Sequence, residues 1–403
     1  MLTSLALIFI LGLLLGSIFN KLKLPSLLGM LITGMILSPY ALNLLDDKIL
    51  SISADLRQLA LVIILTRAGL SLDIQDLKKV GRPALLMCFV PACFEILGII
   101  LLAPRLLDMT ILEAAIMGAV VAAVSPAIIV PRMLKLMEEG YGTKNNIPGL
   151  LLAGASVDDV FVIVLFTAFT SLATGEKVSV QSFAQIPIAI IVGLLIGIIV
   201  GIILSKFFKI FHLRDSTKVI LMLGVSFLLI ELEHRFNGVI PMSGLLAIMS
   251  MAATLYKTSD ILAKRLSDKF NKLWVVAEII LFVLVGATVD LKYAVSAGAV
   301  SLLIIIGALL FRMVGLFICL IRTKLSRKER IFCMLAYTPK ATVQAAIGAI
   351  PLAIGLACGN KVLTVAVLSI IFTAPFGAFV IDKTYKKLLP KEEIQTDENT
   401  KQD

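Results

Sequence analysis

The feature that most restricts this chain is the recurrence of apolar runs long enough to cross a bilayer. A hydrocarbon core of about 30 Å needs roughly 20 apolar residues per helix. Thirteen stretches approach or exceed that length: 2–19, 24–38, 54–70, 82–104, 111–131, 147–173, 183–205, 216–234, 238–256, 273–289, 293–321, 331–351 and 362–382. The second is short and reads as tilted or partly re-entrant. With 59% hydrophobic and 16% charged residues and a mean hydropathy of +1.02, the 403-residue chain lacks the polar surface of a soluble protein. The first run, Leu5 to Phe19, has no basic stretch before it and no small-residue cleavage pattern after it, so it reads as a span and not a removed leader. The fold class expected is an all-α polytopic membrane protein. A membrane domain covers 1–385 and a polar cytoplasmic tail 386–403, whose end, KEEIQTDENTKQD, has the composition of a disordered segment.

The loops orient this arrangement. Loops after odd-numbered spans, with the tail, hold 27 of the 37 lysines and arginines, in clusters such as Lys78/Lys79/Arg82, Lys206/Lys209/Arg214/Lys218, Lys257 to Lys272 and Arg322 to Arg330. Loops after even-numbered spans hold one each: Lys48, Arg105, Lys177, Arg235, Lys292 and Lys361. That asymmetry is the positive-inside pattern. It predicts an N-terminus outside and a C-terminus in the cytoplasm of a cell (inner) membrane, and it accounts for the +10 net charge without any nucleic acid partner. Four basic residues fall inside spans. Arg57 and Arg67 lie near span ends and can snorkel to an interface, whereas Arg312 and Lys340 cannot easily do so. The five cysteines are scattered in apolar segments without CxxC spacing and read as small buried residues. His212 and His234 have no partner motif, and nothing calls for a cofactor.

Spans seven apart resemble one another. GLSLDI, which contains Asp73, matches GATVDL with Asp290, 217 residues later. Glu95 matches Arg312 at the same offset, and Ser125-Pro126 matches Thr338-Pro339 at 213. An odd offset reverses direction in the membrane, so the pattern predicts inverted-topology repeats of the kind secondary transporters use.

Asp158 and Asp159 stand in LLAGASVDDVFVIVLF, about eleven residues beyond Ile147 and so near the bilayer midplane. An ionisable group there costs about 2.5–3.5 kcal/mol on insertion scales. Neighbours on a helix point about 100° apart, so one acid can face a cavity while the other meets a partner helix. The alternative is that both serve only as ion-pair partners. A carboxylate binds either a hard cation such as Na⁺ or Li⁺ or a proton, and never both at once, which is sufficient chemistry for exchange.

Two spans carry proline interruptions flanked by hydroxyl or small residues: AVVAAVSPAIIVP, with Ser125 and Pro126, and YTPKATVQAAIG, with Thr338, Pro339 and Thr342. Proline removes an internal helix bond, and irregular backbone at membrane depth is tolerated only beside a cavity or inside protein. Corresponding breaks in two halves point to a transport site. Lys340, inside the second break, has three candidate roles: compensating the half-helix carbonyls there, pairing with Asp158, or exchanging a proton. Glu95 and Arg312 are expected to form an ion pair bridging the halves, mainly structural with a gating role open. Glu113, Glu231, Glu233, Glu278 and Asp382 lie near span ends and read as snorkelling.

GASVDDV, VSPAIIVP, TPKATVQAAIG and the Phe94-Glu95 and Phe311-Arg312 pairs resemble the cation/proton antiporter superfamily, and within its two-aspartate branch most of all the NHA-type sodium/hydrogen antiporters. The resemblance covers nearly the whole chain to about residue 385. It implies a homodimer with a dimerisation part and a mobile core, two crossing broken helices, and elevator-type alternating access. It also implies that Asp159 is the principal ion ligand and Asp158 its neighbour in charge balance. The chain departs from many two-aspartate members by carrying Arg312 where they have lysine, and from other branches by carrying Ser125 where they place an acid. Residues and resemblance together predict a Na⁺(Li⁺)/H⁺ antiporter and not an enzyme. The rivals are K⁺/H⁺ exchange, a cation channel, and an organic-anion symporter, the last disfavoured because no dedicated anion pocket is legible.

Overall fold

The computed structural model describes residues 1–71, 81–174, 180–236 and 242–391. Asp73, Lys78, Lys79 and Lys177, and the tail from residue 392, lie outside the described residues. The described chain is helical, in the order α1 Leu2–Lys21, α2 Ser26–Leu37, α3 Asp47–Ser51, α4 Ser53–Leu70, α5 Arg82–Met87, α6 Val90–Leu107, α7 Ile111–Ala122, α8 Pro126–Glu139, α9 Ile147–Thr174 and α10 Val180–Ile210. It continues with α11 Asp215–Phe236, α12 Gly244–Thr258, α13 Asp260–Ala287, α14 Leu291–Ser296, α15 Gly298–Leu320, α16 Arg327–Ala336, α17 Thr342–Ile347, α18 Ile350–Ala353 and α19 Gly359–Leu388.

Among the described residues, eight helical stretches are long and apolar enough to cross a membrane. The other five runs counted from the sequence coincide with α2, α4, α11, α12 and the interrupted α16–α17, which are shorter, broken or more charged. The sequence boundaries shift in two places. The basic cluster read as a loop, Lys257 to Lys272, is largely helix, because Leu262, Ala263, Leu266 and Phe270 recur at helical spacing and are buried while Lys264, Arg265, Lys269 and Lys272 stay exposed. The last helix runs to Leu388, three residues into the segment read as tail.

Packing is densest within two groups of helices. One contains α1, α2, α4 and α10–α13, the other α5–α9 and α15–α19. They meet mainly where α9 and α17 face α4, α10, α12 and α13. Within the first group, α2 and α13 approach so closely that a Cβ on Gly34 would collide with the backbone carbonyl oxygen of Val283. Within the second, Gly98 of α6 lets the Phe311 ring of α15 sit where a side chain would otherwise stand, with Phe311 Cγ 2.8 Å from that position.

The broken helix α7–α8 is tied to the end of α19. Tyr385 Oη donates to Glu139 Oε2 at 2.8 Å, Arg132 and Asp382 pair at 3.3 Å, and Gly142 N–H donates to Pro390 O at 2.9 Å. Asp382 is thus an ion-pair partner. Glu113 forms the capping box of α7 with Thr110, and Glu233 accepts from Gly244 N–H at the start of α12, so neither is merely snorkelling. Arg57 is also different from its expectation: it is 6% exposed, and its guanidinium donates to Thr288 Oγ1 at 3.4 Å across α4 and the end of α13. Four cysteines are buried and Cys93 is exposed, all as free thiols.

Gly34→Val is expected to destabilise the detergent-solubilised protein by about 1–3 kcal/mol, or more because the colliding atom is backbone. Thermal unfolding followed by intrinsic fluorescence measures it, and an unchanged Tm would contradict the α2–α13 contact.

Candidate functional site

The two interruptions follow from local chemistry. Helix α7 stops at Ala122, Ala123 and Ser125 are extended, and α8 restarts at Pro126, whose missing N–H costs nothing in a first turn. Helix α16 stops at Ala336, and Tyr337 to Ala341, including Pro339, separate it from α17. The interruptions touch: Ser125 N–H donates to Pro339 O at 2.8 Å.

A helix C-terminus leaves carbonyls without intrahelical donors. At the end of α7 these are taken by side chains from elsewhere. Gln344 Nε2 donates to Val121 O at 3.1 Å and to Ala123 O at 2.8 Å. Ala122 O accepts from Lys340 Nζ at 3.3 Å and also from Arg312 Nη1. Two cations at the negative end of a half-helix are favourable on dipole grounds as well. On the other side of the gap, Val124 N–H donates to Asp158 Oδ2 at 2.9 Å.

Arg312 organises the cluster. Its Nη1 meets Glu95 Oε2 at 2.8 Å, its Nη2 meets Asp158 Oδ2 at 2.9 Å, and its Nε donates to Tyr337 O at 3.1 Å. The guanidinium carbon also lies 5.0 Å from the Tyr337 ring centroid. Lys340 Nζ bonds Glu95 Oε2 at 2.6 Å, while its backbone N–H donates to Thr373 Oγ1 at 2.9 Å. Glu95, Asp158, Arg312 and Lys340 are all fully buried. Two carboxylates therefore face two cations, and the set is neutral as a unit.

The structure thus brings Glu95 and Arg312 together, and adds a contact the sequence reading did not foresee, Arg312 with Asp158. Lys340 lies against a carbonyl of the first interruption and not of its own. Gln344, Tyr337 and Thr373 were missed. Gln344 had a legible signal, an amide inside the apolar run TVQAAIG.

Asp159 stands outside the neutral set. It lines a narrow pocket with Leu61 and Leu65 of α4, Met249 of α12, and Thr342 and Val343 of α17, on the boundary between the two helix groups. Its Oδ1 is buried without a hydrogen-bond partner among the described residues, and so are Asp158 Oδ1, Ser125 Oγ and Thr342 Oγ1. Leaving a buried acceptor unsatisfied costs about 1–3 kcal/mol. Oxygen atoms with spare lone pairs around a break in two helices are suited to a hard monovalent cation or a proton.

Apolar spans that enclose a neutralised charge cluster and a spare carboxylate between interrupted helices define a multi-pass membrane protein of the secondary-transporter class. The chain belongs to the sodium/hydrogen exchanger family, whose transmembrane model matches residues 5–386. Among similar proteins, human sodium/hydrogen exchanger 9B2 is 34% identical over 393 residues, covering 92% of this chain and 71% of the relative. Human sodium/hydrogen exchanger 9B1 is 31% identical over 395 residues, covering 91% and 73%. The sodium proton antiporter MjNhaP1 from Methanocaldococcus jannaschii, solved at pH 8, has the same fold, with a TM-score of 0.84 at 20% identity over 95% of this chain and 97% of that one. The resemblance read from GASVDDV and the proline motifs is therefore a family relationship.

Glu95→Gln alone leaves both Arg312 and Lys340 short of an anion and is expected to cost about 3–5 kcal/mol. Because Glu95 and Lys340 share a bond, Glu95→Gln with Lys340→Met should cost less than the sum of the singles, by about 0.5–3 kcal/mol. Unfolding in detergent completes the cycle, and strict additivity would dissolve the pair.

Proposed function

We propose that this protein exchanges Na⁺, and Li⁺, for H⁺ across a cell membrane, with Asp159 as the carboxylate that holds either the cation or the proton. The observation that supports this most directly is the separation of roles between adjacent acids. Asp158 Oδ2 is held by Arg312 and Val124 N–H, whereas Asp159 forms no ion pair among the described residues and faces the boundary between helix groups. Ser125 and Thr342 supply further oxygens for a partly dehydrated ion. Thr338, Pro126 and Pro339 keep the two breaks open so that backbone carbonyls and side chains, not continuous helix, surround the site.

The elevator reading fits the same boundary. One helix group carries both breaks, Asp158 and Asp159, and the other presents an apolar wall of Leu61, Leu65 and Met249. Sliding the first group against the second would carry the site from one face to the other. In this reading the first group also forms the homodimer contact, all thirteen runs cross the bilayer, the broken helices cross at Ser125–Pro339, and the basic loops face the cytoplasm. That the relatives are sodium/hydrogen exchangers and a sodium proton antiporter favours Na⁺ as the cation.

Two outcomes are expected. In proteoliposomes, adding Na⁺ or Li⁺ should drive proton flux, and Asp159→Asn should abolish it while the purified variant keeps wild-type Tm. Flux persisting in that variant would refute the assignment. Flux with K⁺ alone would move the reading to K⁺/H⁺ exchange, and cation conduction without proton counterflow would make the protein a channel.

The second concerns charge. Arginine holds its proton throughout, and Lys340 is bonded to Glu95. Only one group is then left to exchange, so transport should be electroneutral, one proton per sodium. The balance point set by opposing Na⁺ and H⁺ gradients should stay fixed when a K⁺/valinomycin potential is imposed. A shift with voltage would mean a second proton, with Lys340 as its carrier.

A further inference from the structure

Away from the buried cluster, a basin of about 500 Å³ opens where α10 ends and α11 begins. Arg214, Lys218, Arg265 and Lys269 line it, with Asp215 and the Phe208 ring. Four cations thus meet one carboxylate. Asp215 accepts from Arg265 at 3.3 Å and lies 3.7 Å from Lys218 Nζ, leaving the remaining positive charge uncompensated by these groups. Lys218 is only 6% exposed, and its ammonium rests 5.6 Å from the Phe208 ring centroid, so a cation is held in place inside the basin. The first turn of α11 opens onto the same space, where helix amides have no intrahelical acceptors and the dipole end is positive.

The surroundings identify what kind of anion this is. The apolar crossing Ile191–Ile210 ends at the rim of the basin. Phe207 and Ile210 in its last turn and Phe211 just after it are exposed apolar side chains, as is Ile261 at the start of α13. A charged basin directly beyond the end of a lipid-facing helix, flanked by exposed apolar residues, matches a molecule with a phosphate at one end and acyl chains at the other.

We infer that the α10–α11–α13 basin is a binding site for the phosphate headgroup of an anionic phospholipid, with the acyl chains lying along α10. The shared chemistry with a free phosphate ion is the phosphate itself; the exposed apolar rim favours the lipid. The site is independent of which cation the protein exchanges.

The test uses the full-length protein in mild detergent, with Tm measured after adding phosphatidylglycerol, phosphatidylcholine or millimolar inorganic phosphate. Phosphatidylglycerol should raise Tm by several degrees more than phosphatidylcholine, and inorganic phosphate should leave it unchanged. Arg265→Gln with Lys269→Gln, both exposed positions, should lose most of that increment while keeping the Tm seen in phosphatidylcholine. Lys328→Gln, an exposed basic position outside the basin, should keep it. Lys218→Met should also lose the increment. If phosphatidylglycerol gives no increment, or the basin variants retain it, the site is refuted. An equal increment from inorganic phosphate would make the ligand a free anion and overturn the lipid assignment.

Discussion

The fixed point of this molecule is the guanidinium of Arg312, fully buried and satisfied from four directions. An arginine in an apolar interior is tolerable only if its charge is balanced and its donors are used. Here Glu95 and Asp158 balance it, and the carbonyls of Ala122 and Tyr337 use the remaining geometry. Those carbonyls exist as free acceptors only because two helices are interrupted. The breaks and the arginine therefore support each other: continuous helices would consume the carbonyls of Ala122 and Tyr337, and without Arg312 Nε the Tyr337 carbonyl would lose its side-chain donor.

Neutrality within the cluster has an effect on its neighbour. Asp158 is fixed by a short ion pair and a backbone amide, so the next residue along α9 is turned by about 100° toward the helix-group boundary. Among the described residues Asp159 therefore forms no ion pair with either cation, both of which are engaged by Glu95 and Asp158. Two chemically identical groups, adjacent in sequence, acquire different surroundings because a helix cannot point consecutive side chains in one direction.

Much of this was legible in sequence for a physical reason. Apolar runs, paired acids and prolines at membrane depth are costly, so each announces itself against a background that tolerates little else. Glu95 and Arg312 could be matched because neither has a path to water. The Arg312–Asp158 contact could not, because nothing in one chain says which of two adjacent acids meets a residue 154 positions away. Arg57 was misread because proximity to a span end suggested water, whereas the packing of α4 on α13 buries it. The amphipathic start of α13 was mistaken for a loop because its charges outweigh its apolar residues in a hydropathy average, although their spacing is helical. Gln344 was overlooked since a lone amide among alanines and valines carries no charge to draw attention.

The bonds between the end of α19 and the α8 segment set a limit on how the second helix group can rearrange. Tyr385, Asp382 and Pro390 grip Glu139, Arg132 and Gly142 through three chemically different contacts spread along the chain from Arg132 to Gly142. A hinge at the Ser125 break, which the extended backbone alone would permit, would have to rupture all three together. The far half-helix is consequently a strut and not a flap, and any displacement of its outer end is transmitted to the gap beside Asp158 with little loss.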